Sequence, residues 1–243
     1  MRNTIRALAA ALGVIATAWA PNASADPNAL WTITHDQCVP NQERNGDPAP
    51  CALVDLPGRY VVVKDLVGAT QFLLIPTDRV SGIESPEILA PDAPNYFAAA
   101  WRARTFVEQR AGQPIPRDQL SLAINSAADR TQDQLHIHVD CVRADVRDTL
   151  RRNISDIGPD WAPFPQPLVG QRYDAMVLAG EDITANPFQL LAGRAADMGA
   201  ETLVAVGVQL TDGGPGFVLL ANGVGPAHGE DLQDHDACPA AGT

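Results

Sequence analysis

Charge is scarce along this 243-residue chain, and basic charge is scarcest. Charged residues make up 19% of it, with 17 Lys and Arg against 29 Asp and Glu. Without Arg2 and Arg6 at the extreme N-terminus, 15 basic groups face 29 acidic ones, a formal charge of −14. That balance excludes nucleic acid as a partner, because a polyanion selects basic faces. It also excludes a polybasic grip on anionic lipid, so contact with any lipid must be apolar or local. Long disordered tracts are absent too: apolar residues reach 46%, enough for a hydrophobic core. No fixed-period repeat occurs, and nothing resembles a Walker loop, a Ser-His-Asp motif or a nudix-type glutamate run. No CxxC spacing offers a thiolate metal site.

Long apolar runs are equally few. Residues 7–20 carry no charge, follow Arg2 and Arg6, and precede the small residues Ala23-Ser24-Ala25. This predicts a secretory signal peptide over residues 1–25, cleaved before Asp26; a retained anchor is the alternative, but the run is short for a span of about 20 residues. No second stretch could cross a bilayer, and no Cys follows the run to carry a lipid. The expected location is exported: the periplasm or cell envelope, at the outer face of the inner membrane. In an oxidising compartment the four cysteines, Cys38, Cys51, Cys141 and Cys238, are expected to form two disulfides. Of the three possible pairings, sequence proximity favours Cys38 with Cys51 across a turn-rich stretch, which leaves Cys141 with Cys238.

The periodicities predict an α+β fold. Tyr60 to Lys64 and Gln71 to Ile75 read as a hairpin, and residues 95–110 as a helix. Residues 120–125 and 134–142 read as strands, 145–153 as a short helix. Strands at 173–178, 203–210 and 217–221 and a helix over 187–198 follow. The expected organisation after the signal segment is a disulfide-stapled irregular segment (26–57), a catalytic half (58–153), a Pro-rich connection (154–172) and a second α+β half packed on the first (173–243). Within the connection, Trp161-Ala162-Pro163-Phe164-Pro165 sets two aromatics on a stiff segment. It is expected either to touch a bilayer or to link the halves with both rings buried.

The chemistry-bearing signal is Gln134-Leu135-His136-Ile137-His138-Val139. In a strand, Gln134, His136, His138 and Asp140 share one face, while Leu135, Ile137, Val139 and Cys141 share the other. One imidazole can attack phosphorus while the other holds its oxygens or moves a proton. A lone HxH pair is also found in metal sites and on ordinary strands. His136, His138 and Asp140 therefore remain a possible ligand set for an exported metal-binding protein.

The surroundings add a resemblance. Val62-Val63-Lys64-Asp65-Leu66 followed by Thr70-Gln71-Phe72-Leu73-Leu74-Ile75-Pro76, with Asn125 ahead of the histidine strand, resembles the histidine triad hydrolase superfamily over residues 58–142. Five further stretches resemble the CDP-diacylglycerol pyrophosphatase family: residues 31–38, Ile83-Glu84-Ser85-Pro86, Leu122-Ala123-Ile124-Asn125, residues 130–138, and the tail Leu232 to Cys238. The resemblance implies a HIT-like antiparallel sheet with packed helices, whose second half could be a degenerate copy of the first. It implies hydrolysis of the pyrophosphate bond of CDP-diacylglycerol to CMP and phosphatidate, without a metal or other cofactor.

By the same resemblance His136 stands at the nucleophile's position and His138 at that of the phosphate-contacting histidine. Gln134 replaces the first histidine of the triad and cannot relay a proton. Asp65 corresponds to the acid that holds ribose hydroxyls and Asn125 to a residue near sugar and phosphate. Arg130, Thr131 and Gln132 correspond to a phosphate-binding turn, here two residues shorter. The implied partners are a lipid-linked nucleotide and a membrane surface. Triad hydrolases pair their sheets into dimers, and the second half here is an alternative occupant of that surface. With Gln in the triad, a nucleotide-binding module without turnover is a further reading.

Overall fold

The computed structural model describes residues 26–224, 228–236 and 238; the expected signal segment lies outside them. All nine strands join one antiparallel sheet in the order β1-β2-β3-β5-β4-β8-β9-β7-β6. The strands are β1 (Leu53–Asp55), β2 (Tyr60–Lys64), β3 (Phe72–Pro76), β4 (Leu120–Ile124), β5 (Ile137–Cys141), β6 (Ala162–Pro163), β7 (Asp174–Ala179), β8 (Thr202–Gln209) and β9 (Pro215–Asn222). Among the described residues the two longest helices are α3 (Tyr96–Ala111) and α4 (Ala144–Asn153), and a shorter α5 (Pro187–Ala192) follows. The class is α+β, as the mixed periodicities predict. Among the described residues no helix is long and apolar enough to cross a membrane.

The seam between the halves is the β4·β8 pair, where Leu122 lies opposite Ala205 and Ala123 opposite Val204. Outward from that seam the order is β4-β5-β3-β2 on one side and β8-β9-β7-β6 on the other. Each half also places a helix between its second and third strands, α3 after β3 and α5 after β7. Both halves thus follow the same path in opposite directions along the sheet.

Alternation along the strands divides the core. Val62, Leu74, Leu122, Ile137, Val139, Ala205 and Leu219 face α3 and α5, where Phe97, Trp101 and Phe188 are buried with them. Residues of the opposite parity are covered in two separate patches. Val61, Val63, Leu73 and Ile75 meet the N-terminal helix, and Ala123, Val204, Val206, Val218 and Leu220 meet α4, Phe164 and Leu168. The patches flank β5, because His138 is registered opposite Leu73 on one side and Ala123 on the other. A gap in the apolar layer therefore opens over the histidines.

Two expectations need correction. Residues 29–45 are not irregular: α1 (Ala29–Thr32), a π-helical turn (Ile33–Cys38) and α2 (Val39–Asn45) run on continuously. The Pro, Asn and Asp content hid this helix. Pro40 lies two residues past the end of the widened π turn, where the ladder of helical hydrogen bonds is already shifted and a missing N–H is accommodated. The helix expected over 187–198 stops at Ala192, with Gly193 at its C-cap. The Trp161 loop is structural. Phe164 is buried under the sheet, and the Trp161 ring packs on the core with its Nε1 donating to the Leu190 carbonyl at 3.1 Å.

Both expected disulfides are present, Cys38–Cys51 in the leading segment and Cys141–Cys238 tying the tail to β5. Gly207 marks the closest approach in the sheet's helical layer. A Cβ there would lie 2.3 Å from the Arg117 carbonyl oxygen and 2.9 Å from the Trp101 ring. Gly207→Ala is expected to cost about 1–3 kcal/mol by overpacking, read as a lower urea midpoint. An unchanged midpoint would contradict this packing.

Candidate active site

His138 on β5 and His136, one residue before that strand begins, lie on the face opposite α3 and line a cavity of about 570 Å³. The walls come from three places. Ala29, Leu30 and Ile33 of the N-terminal helix and Val63 and Leu73 of the sheet make an apolar side. Lys64, Asp65, Leu66 and Val67 of the β2–β3 turn make a second, and Thr131, Gln132 and Glu230 a polar third. The two imidazole centroids lie 4.9 Å apart with planes tilted by 65°.

The hydrogen bonds fix what each ring can do. His136 Nδ1 lies 2.7 Å from the Gln134 carbonyl oxygen, which can only accept. The proton is therefore on Nδ1, and Nε2 carries the lone pair. Burial and the neighbouring His138 push the His136 pKa down to about 4, so the ring is neutral at physiological pH. A neutral imidazole with a free Nε2 lone pair is a competent nucleophile. His138 Nδ1 accepts from the Gln71 amide. Its other nitrogen, Nε2, is buried without a hydrogen-bond partner among the described residues. With Nδ1 accepting, neutral His138 carries its proton on Nε2, a donor ready for an anionic oxygen. Burial lowers the His138 pKa, while Glu230 and Asp65, 3.4 and 3.9 Å from Nδ1, oppose that shift.

The other expected site residues divide. Asp65, Thr131 and Gln132 line the cavity with the histidines. Asp65 also caps its own turn, accepting from the Val67 N–H at 3.1 Å. Gln132 ties down the N-terminal helix, accepting from the Leu30 N–H at 3.1 Å and donating to the Asp26 carbonyl at 2.9 Å.

Three residues are not brought into the cavity. Gln134 is fully buried. Its amide donates to the carbonyls of Pro76 and Asp78 at 3.0 and 2.8 Å and accepts from the Val80 N–H at 3.4 Å. It clamps the chain leaving β3. Arg130 donates to Glu84 at 2.6 Å and lies 3.4 Å from Asp133, so its charge is already paired. Asn125 donates to Glu230 Oε1 at 2.7 Å and accepts from the Gly229 N–H at 2.8 Å, which makes it the anchor of the tail.

Among the described residues no group of three ligand atoms converges on His136 and His138. Asp140 turns to the Thr70 hydroxyl at 2.8 Å and lies 3.7 Å from His235, whose pKa it raises. Among the described residues the one grouping of three ligand types is Asp140 with Cys141 and Cys238, and both sulfurs are in a disulfide.

Two members of the site were not foreseen. Glu230 reaches it from the tail, more than 90 residues along the chain from His138, and no local pattern marks it. Its carboxyl is held below the ordinary range by His138 and by the Asn125 hydrogen bond, against the effect of burial. Gln71 is the other; it starts the strand-like run after the turn, where its neighbours Phe72 to Ile75 carried the pattern. Lys64 also lines the cavity, but its ammonium donates to the carbonyls of Asp65 and Gly68 at 2.7 and 2.9 Å.

The protonation of His136 is directly measurable. Its folded pKa lies below the ordinary 6.5, so on acidification the unfolded chain binds the proton first. The stability gained from keeping the ring neutral is complete above about pH 6.5 and is lost as pH falls through about 4. NMR of the imidazole is expected to show neutral-form shifts down to pH 5; a midpoint near 6.5 would contradict the buried, neutral state. The tail carries a second expectation. Cys141→Ser with Cys238→Ser is expected to cost about 2–4 kcal/mol and to lower activity, because Glu230 and His235 lose their tether. Full activity with an unchanged urea midpoint would contradict it.

The family profile described as CDP-diacylglycerol pyrophosphatase matches residues 25–242. A CDP-diacylglycerol pyrophosphatase of Yersinia pestis is 41% identical over 218 residues, which cover 86% of this chain and 83% of that protein. A match of this extent includes both halves of the sheet, the histidine strand and the tail that carries Glu230. The chain therefore belongs to the CDP-diacylglycerol pyrophosphatase family, hydrolases that act on a pyrophosphate bond.

Proposed function

We propose that this protein cleaves CDP-diacylglycerol to CMP and phosphatidate with His136 as nucleophile. The observation that carries the reading is the His136 tautomer. Nδ1 is committed to the Gln134 carbonyl and the ring is neutral, so the Nε2 lone pair is available in the cavity. In the first step Nε2 forms a bond to one phosphorus while the anhydride P–O bond breaks, and the leaving phosphate departs with the electron pair. The resulting phosphoramidate is then attacked by water, the P–N bond breaks, and the water proton is released. His138 Nε2–H donates to the phosphate oxygens as their charge grows, supported by the unpartnered state of that nitrogen. Asp65 and Thr131 are within the cavity for the nucleotide end, with Asp65 toward the ribose hydroxyls. Arg130 acts from behind: its pair with Glu84 holds the 126–133 turn, and the phosphate oxygens are met by the His138 Nε2–H.

The strand order supports reading the second half as a degenerate copy of a HIT-like first half, since β6 to β9 with α5 repeat the path of β2 to β5 with α3. The strand in β5's place, β9, has no ionisable residue, so one half alone carries the chemistry. Export to the periplasmic side of the inner membrane accords with the uncharged N-terminal run and with two disulfides, which persist in oxidising compartments.

Incubation with CDP-diacylglycerol, followed by identification of CMP and phosphatidate, tests the reaction. His136→Ala is expected to abolish turnover in a folded protein. His138→Ala is expected to slow it by about 10²-fold or more, the effect of losing a transition-state donor. Wild-type turnover by His136→Ala would overturn the assignment, and an unchanged rate in His138→Ala would reduce that residue to a neighbour.

A further inference from the structure

Two adjacent aliphatic side chains stand in solvent at the mouth of the His136 cavity. Leu66 is fully exposed and Val67 is 61% exposed, next to the cavity acid Asp65. Single exposed aliphatics are ordinary, but a pair continuous with a cavity wall forms a patch, and such patches mark contact surfaces. Behind the pair the wall stays apolar, with Leu30 and Ile33 from the N-terminal helix and Val63 and Leu73 from the sheet. The polar lining comes from Thr131, Gln132 and Glu230 of other elements and from Lys64 and Asp65 at the base of the turn. The cavity therefore has an apolar flank leading from the histidines to the outside.

We propose that the Leu66–Val67 turn inserts into the surface of a phospholipid bilayer, and that the apolar flank behind it receives the acyl chains of the substrate. The inference rests on the proposed function and names where the hydrocarbon end of that substrate lies. A lipid-linked nucleotide whose pyrophosphate meets His136 has its acyl chains one phosphate and one glycerol away. They need an apolar path out of the cavity, and this flank supplies it.

The chain itself indicates the same side. The uncharged run of residues 7–20 ends six residues before Asp26, and Asp26 is three residues before Ala29, a residue of this wall. The expected signal segment thus precedes, in the sequence, the residues that form the apolar flank. The acidic balance of the protein fits apolar insertion rather than charge attraction. The one Lys of the turn, Lys64, has its ammonium on backbone carbonyls instead of offering it to lipid phosphates.

Two measurements on the full-length protein test this. In the first, rates are compared on CDP-diacylglycerol embedded in phosphatidylcholine vesicles and on soluble CDP-glycerol. For Leu66→Ser with Val67→Ser, the ratio of vesicle rate to soluble rate is expected to fall about tenfold or more, from the lost burial of two aliphatic side chains. A ratio equal to that of the wild type would overturn the proposal. In the second, Leu66→Trp is mixed with vesicles whose acyl chains carry bromine. Quenching of its emission beyond that of the wild type is expected, and to the same extent at low and high salt. Absence of that quenching would overturn the proposal, as would an indole already shielded before vesicles are added, which would mean that residues 1–25 cover the flank. If the wild type cleaves neither substrate, the proposed function fails, while the quenching measurement still decides the membrane contact.

Discussion

The alternation of side chains along residues 134–141 is the constraint on which the rest of the structure depends. Leu135, Ile137, Val139 and Cys141 are all essentially inaccessible to solvent beneath α3, so the register of β5 is fixed by burial. A slip of one residue would turn these four outward and drive two imidazoles and a carboxylate into the core. With the register fixed, His136, His138 and Asp140 must face the other way. There the flanking strands leave a space between two apolar patches. The nine-stranded sheet holds that space open, because each neighbour of β5 is itself locked into a further strand.

Burial also sets the chemistry. An imidazole taken out of water loses its affinity for a proton, and two imidazoles in contact lose it further. His136 is therefore neutral without needing a partner base, and one backbone carbonyl selects its tautomer. Acidic groups sit on the far side of His138, where Glu230 and Asp65 face Nδ1 and keep the ring's charge balance local. Glu230 arrives there through long-range ties: the Asn125 hydrogen bonds and the Cys141–Cys238 disulfide bring the tail against β5. The disulfide thus joins the core face of the histidine strand to the segment that completes its opposite face.

What could be read from the residues was what has a short period. The β2–β3 hairpin and α3 repeat every two or three to four residues and were legible within a residue or two of their ends, while the histidine strand starts at Ile137, three residues later than its alternation suggests. The Cys38–Cys51 disulfide followed from proximity, and Cys141–Cys238 was the pair that remained. The leading helix was not legible, because Pro40 and the surrounding polar residues mask a helix that tolerates proline just past a π turn. The site was half legible. His136, His138, Asp65, Thr131 and Gln132 come together, as their pattern suggests. Gln134, Arg130 and Asn125 do not, because each satisfies buried or charged partners that no sequence spacing displays: three backbone groups, Glu84, and the tail. Glu230 was invisible for the converse reason, since only the folded tail brings it near His138.

The account stands on a covalent bond between His136 and phosphorus. Rapid mixing with CDP-diacylglycerol and quenching in alkali, where phosphoramidates survive, followed by peptide mass spectrometry, measures that bond directly. The account predicts a phosphorus-containing adduct on the peptide that carries His136, formed and lost at rates compatible with turnover. A protein that turns over substrate with no adduct at any time point, and with inversion of configuration at the attacked phosphorus, would contradict it.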